Sequence, residues 1–500
     1  MTKPKKAEAP ALDDNEYRRI RLEKAQKLRE LGVNPYPYHF ERSHQAADLQ
    51  QKYKDLPADQ ETEDHVKIAG RVMAHRNSGM FMDIMDVSGK IQVFSHKDNL
   101  SILSQSILAL LDIGDIVGVE GTIRRTARGE LSVKATVITV LSKALLPLPE
   151  KYHGLSDTEI RYRQRYVDLI MNEKTRDTLR KRSAIVAAMR RYYDSKGFLE
   201  VETPMLHAIM GGASAKPFIT HHNALDTDFY LRVAPELHLK RLIVGGLADG
   251  VYEINRCFRN EGLSIKHNPE FTSVESYQAF ADYNEVMSFT ENLVAYVAEE
   301  VLGTKKITFQ GKEIDLTPPW PRRSMVELVK EKTNIDFLQY PDAKKALEVA
   351  GTIGIKVDPK SNWGQVVAAV FDEKVESSLI QPTHVTNLPF DISPLAKAHR
   401  ETPRLVERFE SYINGWEIAN AFSELTDPID QRARFEEQTK QREAGDAEAQ
   451  MMDEDYITAL EYGLPPTGGL GIGIDRLVML LTDSPSIREV IAFPTLRPKE

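Results

Sequence analysis

The segment Arg256–Tyr277 brings a cation, an aromatic ring and carboxylates close together in the chain. Apolar and polar residues alternate on both sides of a polar loop, which predicts two paired strands with every second side chain on the same face. On one face we expect Arg259, Phe271 and Glu275, which could bind a phosphate, a nucleobase and a cation. The same pattern also fits an exposed ion pair between Arg259 and Glu261, with Phe271 in the core.

A second candidate phosphate-binding segment lies at Pro465–Leu481. Its glycines permit close approach of the backbone to a ligand, and an apolar helix follows with Asp475 and Arg476 in its first turn. Prolines rather than a strand precede the glycines, so the segment does not fit the dinucleotide-binding fingerprint of a βαβ unit. Taken alone, the segment would also fit tight turns and an arginine in a salt bridge.

Together with a third segment, these motifs resemble the signatures of class II aminoacyl-tRNA synthetases. The second motif of that family is matched by Phe258–Glu261 (FRNE), and the third by Gly469–Arg476 (GLGIGIDR). A predicted helix at Thr178–Asp194, followed by a short strand that stops at Pro204, is similar to the first motif. The likeness extends from about residue 65 to the end of the chain, and its detail is similar to the lysyl-tRNA synthetases.

The resemblance implies an α+β protein with an N-terminal five-stranded OB-fold β-barrel and a class II antiparallel β-sheet flanked by helices. Short alternating strands with glycine turns between Val66 and Leu146 predict a small barrel, although the strands alone also fit other barrels. We expect an N-terminal helical extension (1–64), the OB-fold (65–147), a hinge (148–175) and a catalytic domain (176–500) with a helical insertion at about 318–381.

The family's anticodon-binding positions imply a set of RNA contacts on the predicted barrel. They fall on Arg76, Phe81, Gln92 and Glu130. OB-folds hold single-stranded bases by stacking them on aromatic rings beside polar or basic groups. A plain core position would also explain Phe81.

The composition is ordinary for a globular protein. A formal net charge of −9 over 500 residues disfavours a surface that is basic all over, but it allows local basic patches for tRNA. One such patch is a predicted helix of mixed charge at Asn15–Leu31. The single cysteine, Cys257, cannot form an internal disulfide, and no apolar run is long enough to span a bilayer, so we expect a cytoplasmic protein without membrane contact.

The dipeptide Asn414-Gly415 is a strong hairpin signal that would bring two carboxylates together. If it forms the turn, Tyr412 pairs with Glu417, and Glu410 lies on the same face as Glu417. Two such oxygen ligands suit Mg²⁺ bridging the phosphates of a nucleotide, and both positions match the metal-binding acids of the resembled family. Without the motifs, two exposed acids on a sheet would be the simpler explanation.

The strand after this turn presents a conflict of parity. Asn420, Phe422 and Glu424 alternate with one another, but on a regular strand they would face away from Glu417. The resemblance requires all four side chains in one site. We therefore predict a bulge or break near Ala419.

The resemblance also implies a role for each candidate residue. Arg259 and Arg476 are the expected catalytic residues, because they would neutralise charge on the phosphates and the carboxylate during reaction. The expected ATP contacts are Arg259, Glu261, His267, Asn268, Phe271, Glu410, Glu417 and Arg476. The expected contacts to the amino acid, lysine, are Gly212, Glu236, Arg259, Glu275, Tyr277, Asn420, Phe422 and Glu424. The expected ligands of Mg²⁺ are Glu410 and Glu417.

These roles imply that ATP activates L-lysine to lysyl-adenylate and that the lysine is then transferred to the 3′ end of tRNA(Lys). The first-motif helix and strand imply a homodimer. Three alternatives remain: an aspartyl or asparaginyl synthetase of the same subclass, an enzyme that ligates lysine to elongation factor P, and a non-catalytic relative that binds tRNA or nucleotide. The acids in the predicted pocket disfavour the first, the barrel disfavours the second, and the intact motif residues disfavour the third.

Overall fold

The computed structural model describes residues 14–149, 157–443, 445 and 448–498. The chain divides into two compact units, Met1–Ser156 and Asp157–Glu500. Residues 1–13 of the predicted N-terminal extension and residues 150–156 of the predicted hinge lie outside the described part of the chain.

The first unit contains a five-stranded closed barrel. Its strands are β1 (Glu61–Arg76), β2 (Phe81–Met85), β3 (Lys90–Phe94), β4 (Ile116–Arg125) and β5 (Leu131–Ser142). They close in the order β1-β2-β3-β5-β4, and β3 and β5 are the parallel pair. Because successive side chains of a strand point to opposite faces, alternate residues such as Ile68, Val119 and Val133 fill the interior.

Helices accompany the barrel strands. Those described in this unit are α1 (Asp14–Glu30), α2 (Ala46–Lys52) and α3 (Ile102–Leu110). Helix α1 lies within one residue of the helix predicted at Asn15–Leu31. Leu28 of α1 and Leu49 of α2 are fully buried with the barrel core, so α1 and α2 pack against the barrel through apolar side chains.

The second unit is built on a large, mostly antiparallel sheet. The strands of this sheet, in chain order, are β6 (Leu199–Glu200), β10 (Gly250–Phe258), β11 (Glu270–Ala279), β14 (Arg322–Ser324), β15 (Thr383–Thr386), β16 (Arg408–Ile413), β17 (Trp416–Ser423) and β18 (Thr467–Gly473). Their order in space is β14-β15-β16-β17-β18-β11-β10-β6. The end pairs β14–β15 and β10–β6 are parallel.

Two small sheets accompany the large one. Their strands are β7 (Leu206–His207), β8 (Ile219–His222) and β9 (Thr227–Leu231), and β12 (Lys306–Phe309) and β13 (Lys312–Asp315).

Helices described in the second unit are α4 (Thr158–Arg163), α5 (Arg165–Met171), α6 (Glu173–Ser195), α7 (Glu236–Val244), α8 (Tyr283–Leu302), α9 (Met325–Thr333), α10 (Ala343–Thr352), α11 (Trp363–Lys374), α12 (Pro428–Glu443), α13 (Glu454–Glu461), α14 (Ile474–Leu481) and α15 (Ile487–Val490). Helices α9, α10 and α11 lie between β14 and β15, within the residues for which we predict a helical insertion.

The main core lies on one face of the large sheet. Val274 of β11, Ile472 of β18 and Ala419 of β17 are paired across the sheet and pack with apolar residues of α6, α8 and α14. Their strand neighbours Glu275 and Asn420 therefore point to the opposite face. Because the helices cover one face, the polar side chains are left to line the other.

The predicted fold class is confirmed by the closed barrel and by the large, mostly antiparallel sheet with its helices. The predicted hairpin of the segment Arg256–Tyr277 is present as β10 and β11. No helix among the described residues combines the length and the low charge needed to cross a membrane. The domain boundaries stay predictions.

Candidate active site

The β10–β11 hairpin supplies one wall of a cavity of about 200 Å³. Strand pairing sets Cys257 beside Phe271 and Glu253 beside Glu275, so the predicted face of alternating side chains is present. The Arg259 guanidinium carbon lies 5.1 Å from the centre of the Phe271 ring. Arg259 Nε is buried and has no hydrogen-bond partner in the described part of the chain. A cation beside a ring is therefore available to an anionic ligand.

The third-motif helix α14 brings a second arginine to the same cavity. Its Asp475 accepts a hydrogen bond of 2.7 Å from the Thr272 backbone N–H and pairs with Arg182 of α6, which fixes the helix start against β11. In the next position, Arg476 donates to the Glu417 carbonyl oxygen at 2.7 Å and to His267 Nε2 at 3.2 Å. Arg476, His267 and Glu417 are thus held together in one part of the cavity wall.

A β-bulge resolves the conflict of parity on β17. Tyr412 pairs with Glu417, but the preceding Ser411 pairs with Ala419, so Ile418 is an extra residue on β17. Beyond the bulge Glu410 pairs with Asn420. The predicted bulge near Ala419 is therefore confirmed.

The bulge places the acids and the pocket residues on one side of the sheet. Glu417, Asn420 and Phe422 line the cavity. Glu410 lines an adjoining cavity of about 430 Å³. The two cavities share Gly212, Ala213, Glu236, Arg259, Glu417, Asn420 and Phe422.

The two predicted metal ligands each contact an arginine. Glu410 accepts hydrogen bonds of 2.7 Å from Arg408 and from the Tyr412 hydroxyl, and Glu417 Oε2 lies 3.2 Å from Arg476. Burial raises the pKa of Glu410, and the charge of Glu417 adds to that rise. The described residues hold no cluster of three or more His, Cys, Asp or Glu side chains with metal-binding geometry.

A third carboxyl group near this pair was missed at the level of sequence. Burial raises the pKa of Asp372 in α11 to about 6, and the nearby charges of Glu376, Glu410 and Glu417 contribute. Asp372 lies inside an apolar helix pattern, which gave no signal of a site. Mg²⁺ is usually held by one or two carboxylates together with substrate phosphates, so the pair Glu410 and Glu417 is a donor set that suits it.

The other end of the cavity is acidic. Glu236, Glu275 and Tyr277 line it. Glu275 is partly buried in the cavity wall, and burial together with the charge of Glu236 raises its pKa to about 8. The Glu236 carboxylate does not cap its helix and instead accepts a hydrogen bond of 2.5 Å from Lys240, one turn further along α7.

Glu424 is almost completely buried. It is 1% exposed and is not among the residues that line either cavity. Gly469 separates it from the cavity, and a Cβ atom at this glycine would overlap the Glu424 carboxylate and come within 2.7 Å of Tyr277. Glu424 therefore belongs to the floor of the acidic end and reaches the cavity only past a residue without a side chain.

Lys240 was also missed at the level of sequence, where it would pass for an ordinary residue of an amphipathic helix. Its ammonium group is fully buried and forms ion pairs with both Glu236 and Glu424. It lies 5.7 Å from the centre of the Tyr277 ring and 5.4 Å from that of Phe422. Burial alone would lower the pKa of Lys240, but the two carboxylates raise it.

The remaining predicted residues also line the first cavity. Gly212 has a φ of +90°, a conformation that favours glycine, and its N–H donates to Gln450 at 3.3 Å. Glu261, His267 and Asn268 line the first cavity. Burial lowers the pKa of His267, and the charge of Arg476 lowers it further.

The barrel presents a second candidate site on β1, β2 and β3. Arg76 makes two hydrogen bonds to Asp83, at 2.9 and 2.8 Å, and Gln92 accepts one from Ser132 at 2.8 Å. The Phe81 ring lies 5.3 Å from that of Phe94. Glu130 is exposed in the turn before β5.

Two contacts of this surface were not predicted. The Arg124 guanidinium carbon lies 4.6 Å from the centre of the Phe94 ring, and the His96 ring stacks on Phe94 from 6.0 Å. The alternation of β3, which puts Gln92 and Phe94 on one face, was the available signal. Half-buried rings beside an arginine form a surface on which bases can stack.

Comparison with known proteins agrees with this geometry. Residues 157–497 match the family described as tRNA synthetases class II (D, K and N), and residues 66–141 match the OB-fold nucleic acid binding domain. The chain belongs to the class II tRNA synthetases of this group.

Similar proteins make the family assignment more specific. The lysine–tRNA ligase of Carboxydothermus hydrogenoformans is 54% identical over 488 residues, which cover 97% of this chain and 99% of that protein. That of Thermosynechococcus vestitus is 56% identical over 492 residues, 97% of each chain. That of Sinorhizobium medicae is 53% identical over 480 residues, 96% of each chain.

The raised pKa of Glu275 makes a prediction about stability. Since the folded-state pKa of about 8 lies above the ordinary value of 4.5, the folded protein holds this proton more tightly than the unfolded chain does. The unfolding free energy of the wild type, relative to a Glu275→Gln variant, should therefore fall as the pH rises from 4.5 to about 8 and stay constant above that.

Urea unfolding of both proteins at a series of pH values measures this difference. Glu270→Gln, a half-exposed position at the start of the same strand, is the matched control. A wild-type-minus-variant difference that is independent of pH would contradict the assignment.

Proposed function

We propose that this chain is a lysine–tRNA ligase that uses ATP to activate L-lysine and transfers it to the 3′ end of tRNA(Lys). One observation supports lysine as the amino acid. The same cavity is lined by Arg259 beside the Phe271 ring and by the carboxyl groups of Glu236 and Glu275. The names of relatives that are 53–56% identical over nearly the whole chain support it.

The first step needs alignment rather than a protein nucleophile. The lysine carboxylate attacks the α-phosphorus of ATP, forms lysyl-adenylate and expels pyrophosphate. Arg259 is proposed to contact both reacting groups, because a guanidinium can donate hydrogen bonds to the carboxylate and the phosphate together. Charge that develops on the α-phosphate would meet a cation already held in position.

The nucleotide is proposed to lie across the Phe271 end of the cavity. The adenine ring would stack on Phe271, with Arg476 on its other side, and His267 with Arg476 would contact the outer phosphates. Glu261 and Asn268 would contact the rest of the nucleotide. The hydrogen bond between Arg476 and His267 supports this, because it keeps both groups at one edge of the cavity.

Mg²⁺ is the proposed cofactor, with Glu410 and Glu417 as its ligands. When bound, it would neutralise charge on the phosphates of ATP. In the described structure Arg408 and Arg476 contact these two carboxylates.

The amino-acid pocket distinguishes lysine from the other substrates of this subclass. A pocket for aspartate or asparagine needs a cation or amides free to meet the substrate at its far end. Here Glu236, Glu275 and Glu424 surround that end with Tyr277, and the cation beside them, Lys240, is already paired with two of the carboxylates. Asn420 and Phe422 complete the proposed pocket, and Gly212 belongs to the loop above it.

In the second step the terminal ribose hydroxyl of the tRNA attacks the acyl carbonyl of the adenylate and expels AMP. The barrel is proposed to bind the anticodon through Arg76, Phe81, Gln92 and Glu130, with Phe94 as an added stacking ring. We also propose a cytoplasmic homodimer that contacts its partner through α6 and β6, and the domain boundaries stated for the sequence.

The function is tested by amino-acid-dependent pyrophosphate exchange with each of the standard amino acids. We expect exchange with lysine and little with aspartate, asparagine or arginine, since the far end of the cavity carries carboxyl groups. Charging of total tRNA with labelled lysine is the second measurement. Exchange with no amino acid, or a preference for an acidic one, would overturn the proposal.

Arg259→Ala should abolish the first step while leaving the fold intact. Loss of a hydrogen-bonding cation at the reacting phosphate is expected to lower the exchange rate by about 10²–10³-fold or more. Arg256→Ala is the matched control, because its half-exposed side chain lies on the other face of the same strand. Wild-type exchange in Arg259→Ala would remove this residue from the mechanism.

Phe81→Ala should weaken tRNA binding without affecting lysine activation. Loss of one stacking ring is worth about 1–3 kcal/mol per base, so the KM for tRNA should rise roughly 5- to 100-fold. Lysine-dependent exchange measured without tRNA should be unchanged. Val137→Ala, an exposed barrel position, is the control, and an unchanged KM for tRNA in Phe81→Ala would exclude this ring from the interface.

A further inference from the structure

The acidic end of the cavity already contains a positive charge that belongs to the protein. Lys240 is 0% exposed, and its ammonium group lies between the carboxylates of Glu236 and Glu424. The rings of Tyr277 and Phe422 flank it, at 5.7 and 5.4 Å. Two carboxylates and two aromatic rings are the groups that would also bind the ammonium group of a substrate.

The formal charges at this end do not cancel. Among the groups that form ion pairs with Lys240, Glu236 and Glu424 contribute two formal negative charges and Lys240 contributes one positive charge, which leaves one negative charge even before Glu275 is counted. Glu424 Oε1 is buried and has no hydrogen-bond partner among the described residues. A buried acceptor without a donor is costly, so this oxygen is a place for a donor that arrives with a ligand.

The oxygen without a partner lies beside a glycine of the cavity wall. Gly469 lines the cavity, and a Cβ atom there would overlap Glu424 Oε1, so only a residue without a side chain leaves room for this carboxylate. Lys240 pairs with the other oxygen, Oε2, from α7. The two oxygens of Glu424 are thus distinct, because Lys240 holds Oε2 and Oε1 lies against the wall of the cavity.

We propose that Lys240 is a specificity-determining residue of the amino-acid pocket. It neutralises one of the two buried carboxylates, and it holds Glu424 so that the unpaired oxygen of Glu424 accepts a single substrate ammonium group. The inference rests on the proposed function and identifies a group that acts on the substrate through Glu424. Without Lys240, two buried carboxylates would lie side by side and repel each other, and both would have to be neutralised by the substrate and solvent protons.

Lys240→Met tests this, because methionine retains much of the side-chain volume and removes the charge. We expect the KM for lysine in pyrophosphate exchange to rise about tenfold or more, with the KM for ATP unchanged. Lys240→Arg should restore part of the affinity for lysine. Arg241→Met, which removes a neighbouring cation of α7 that pairs with Asp453, is the matched control and should leave both KM values unchanged.

A double variant separates charge balance from packing. Glu236→Gln combined with Lys240→Met restores the formal charge of −1, so the KM for lysine should increase much less when Lys240→Met is added to Glu236→Gln than when it is added to the wild type. Should Lys240→Met fail to fold, a folded, lysine-binding double variant would support the proposal. The proposal would be overturned if the KM for lysine were unchanged in Lys240→Met, or if the KM values for lysine and for ATP rose equally. It would also be overturned if the double variant raised the KM for lysine by the product of the increases in the two single variants.

The controls separate this inference from the proposed function. If the wild type shows no lysine-dependent exchange, the function itself is wrong. If the wild type exchanges with lysine and Lys240→Met matches it, the function stands and the role of Lys240 is rejected.

Discussion

The burial of charge in the second unit is the constraint on which the rest of its structure depends. An ammonium group removed from water is costly unless carboxylates surround it, and a buried carboxylate is costly without a cation. Lys240, Glu236 and Glu424 satisfy this condition together. Glu275 forms no ion pair with a residue that the structure describes, and burial together with the charge of Glu236 raises its pKa to about 8. The cavity is thereby polarised, with a cation at Arg259 and carboxyl groups at the far end.

This polarity is possible because the two faces of the large sheet have different surroundings. Helices α6, α8 and α14 cover one face with apolar contacts. Strand β18, which lies between β17 and β11, carries glycines, so carboxyl groups and rings from β11 and β17 can approach each other across it on the other face. Strands and helices together, rather than loops, therefore hold most of the proposed ATP and lysine contacts, which suits chemistry that depends on alignment.

Much of the site could be predicted from local patterns, because strand alternation determines which side chains share a face. The pairing of β10 with β11 followed from alternation, and the hairpin at Asn414-Gly415 followed from its turn residues. The bulge was predicted because four residues had to share one site while alternation kept them apart.

The burial of a side chain and the identity of its contact partners could not be predicted in the same way. Alternation gives the face of Glu424 but not its burial behind Gly469, which depends on the neighbouring strand. The spacing of Glu236 and Lys240 by four residues is common on exposed helices, where such pairs contribute little. Only the packing of α7 against the sheet makes this pair part of the floor of the cavity. Phe94 and Asp372 were missed for the same reason, since their surroundings come from distant parts of the chain.

The bulge at Ile418 also makes the length of β17 more important than the identity of that residue. One extra residue between Glu417 and Asn420 is what lets the metal-binding candidates and the amino-acid pocket share a side of the sheet. An apolar replacement of Ile418 would keep the strand in frame. Deletion of a single residue there would turn the side chains of one half of the strand to the opposite face of the sheet. Every proposed site residue would still be present in the sequence, but the site would be divided between the two faces.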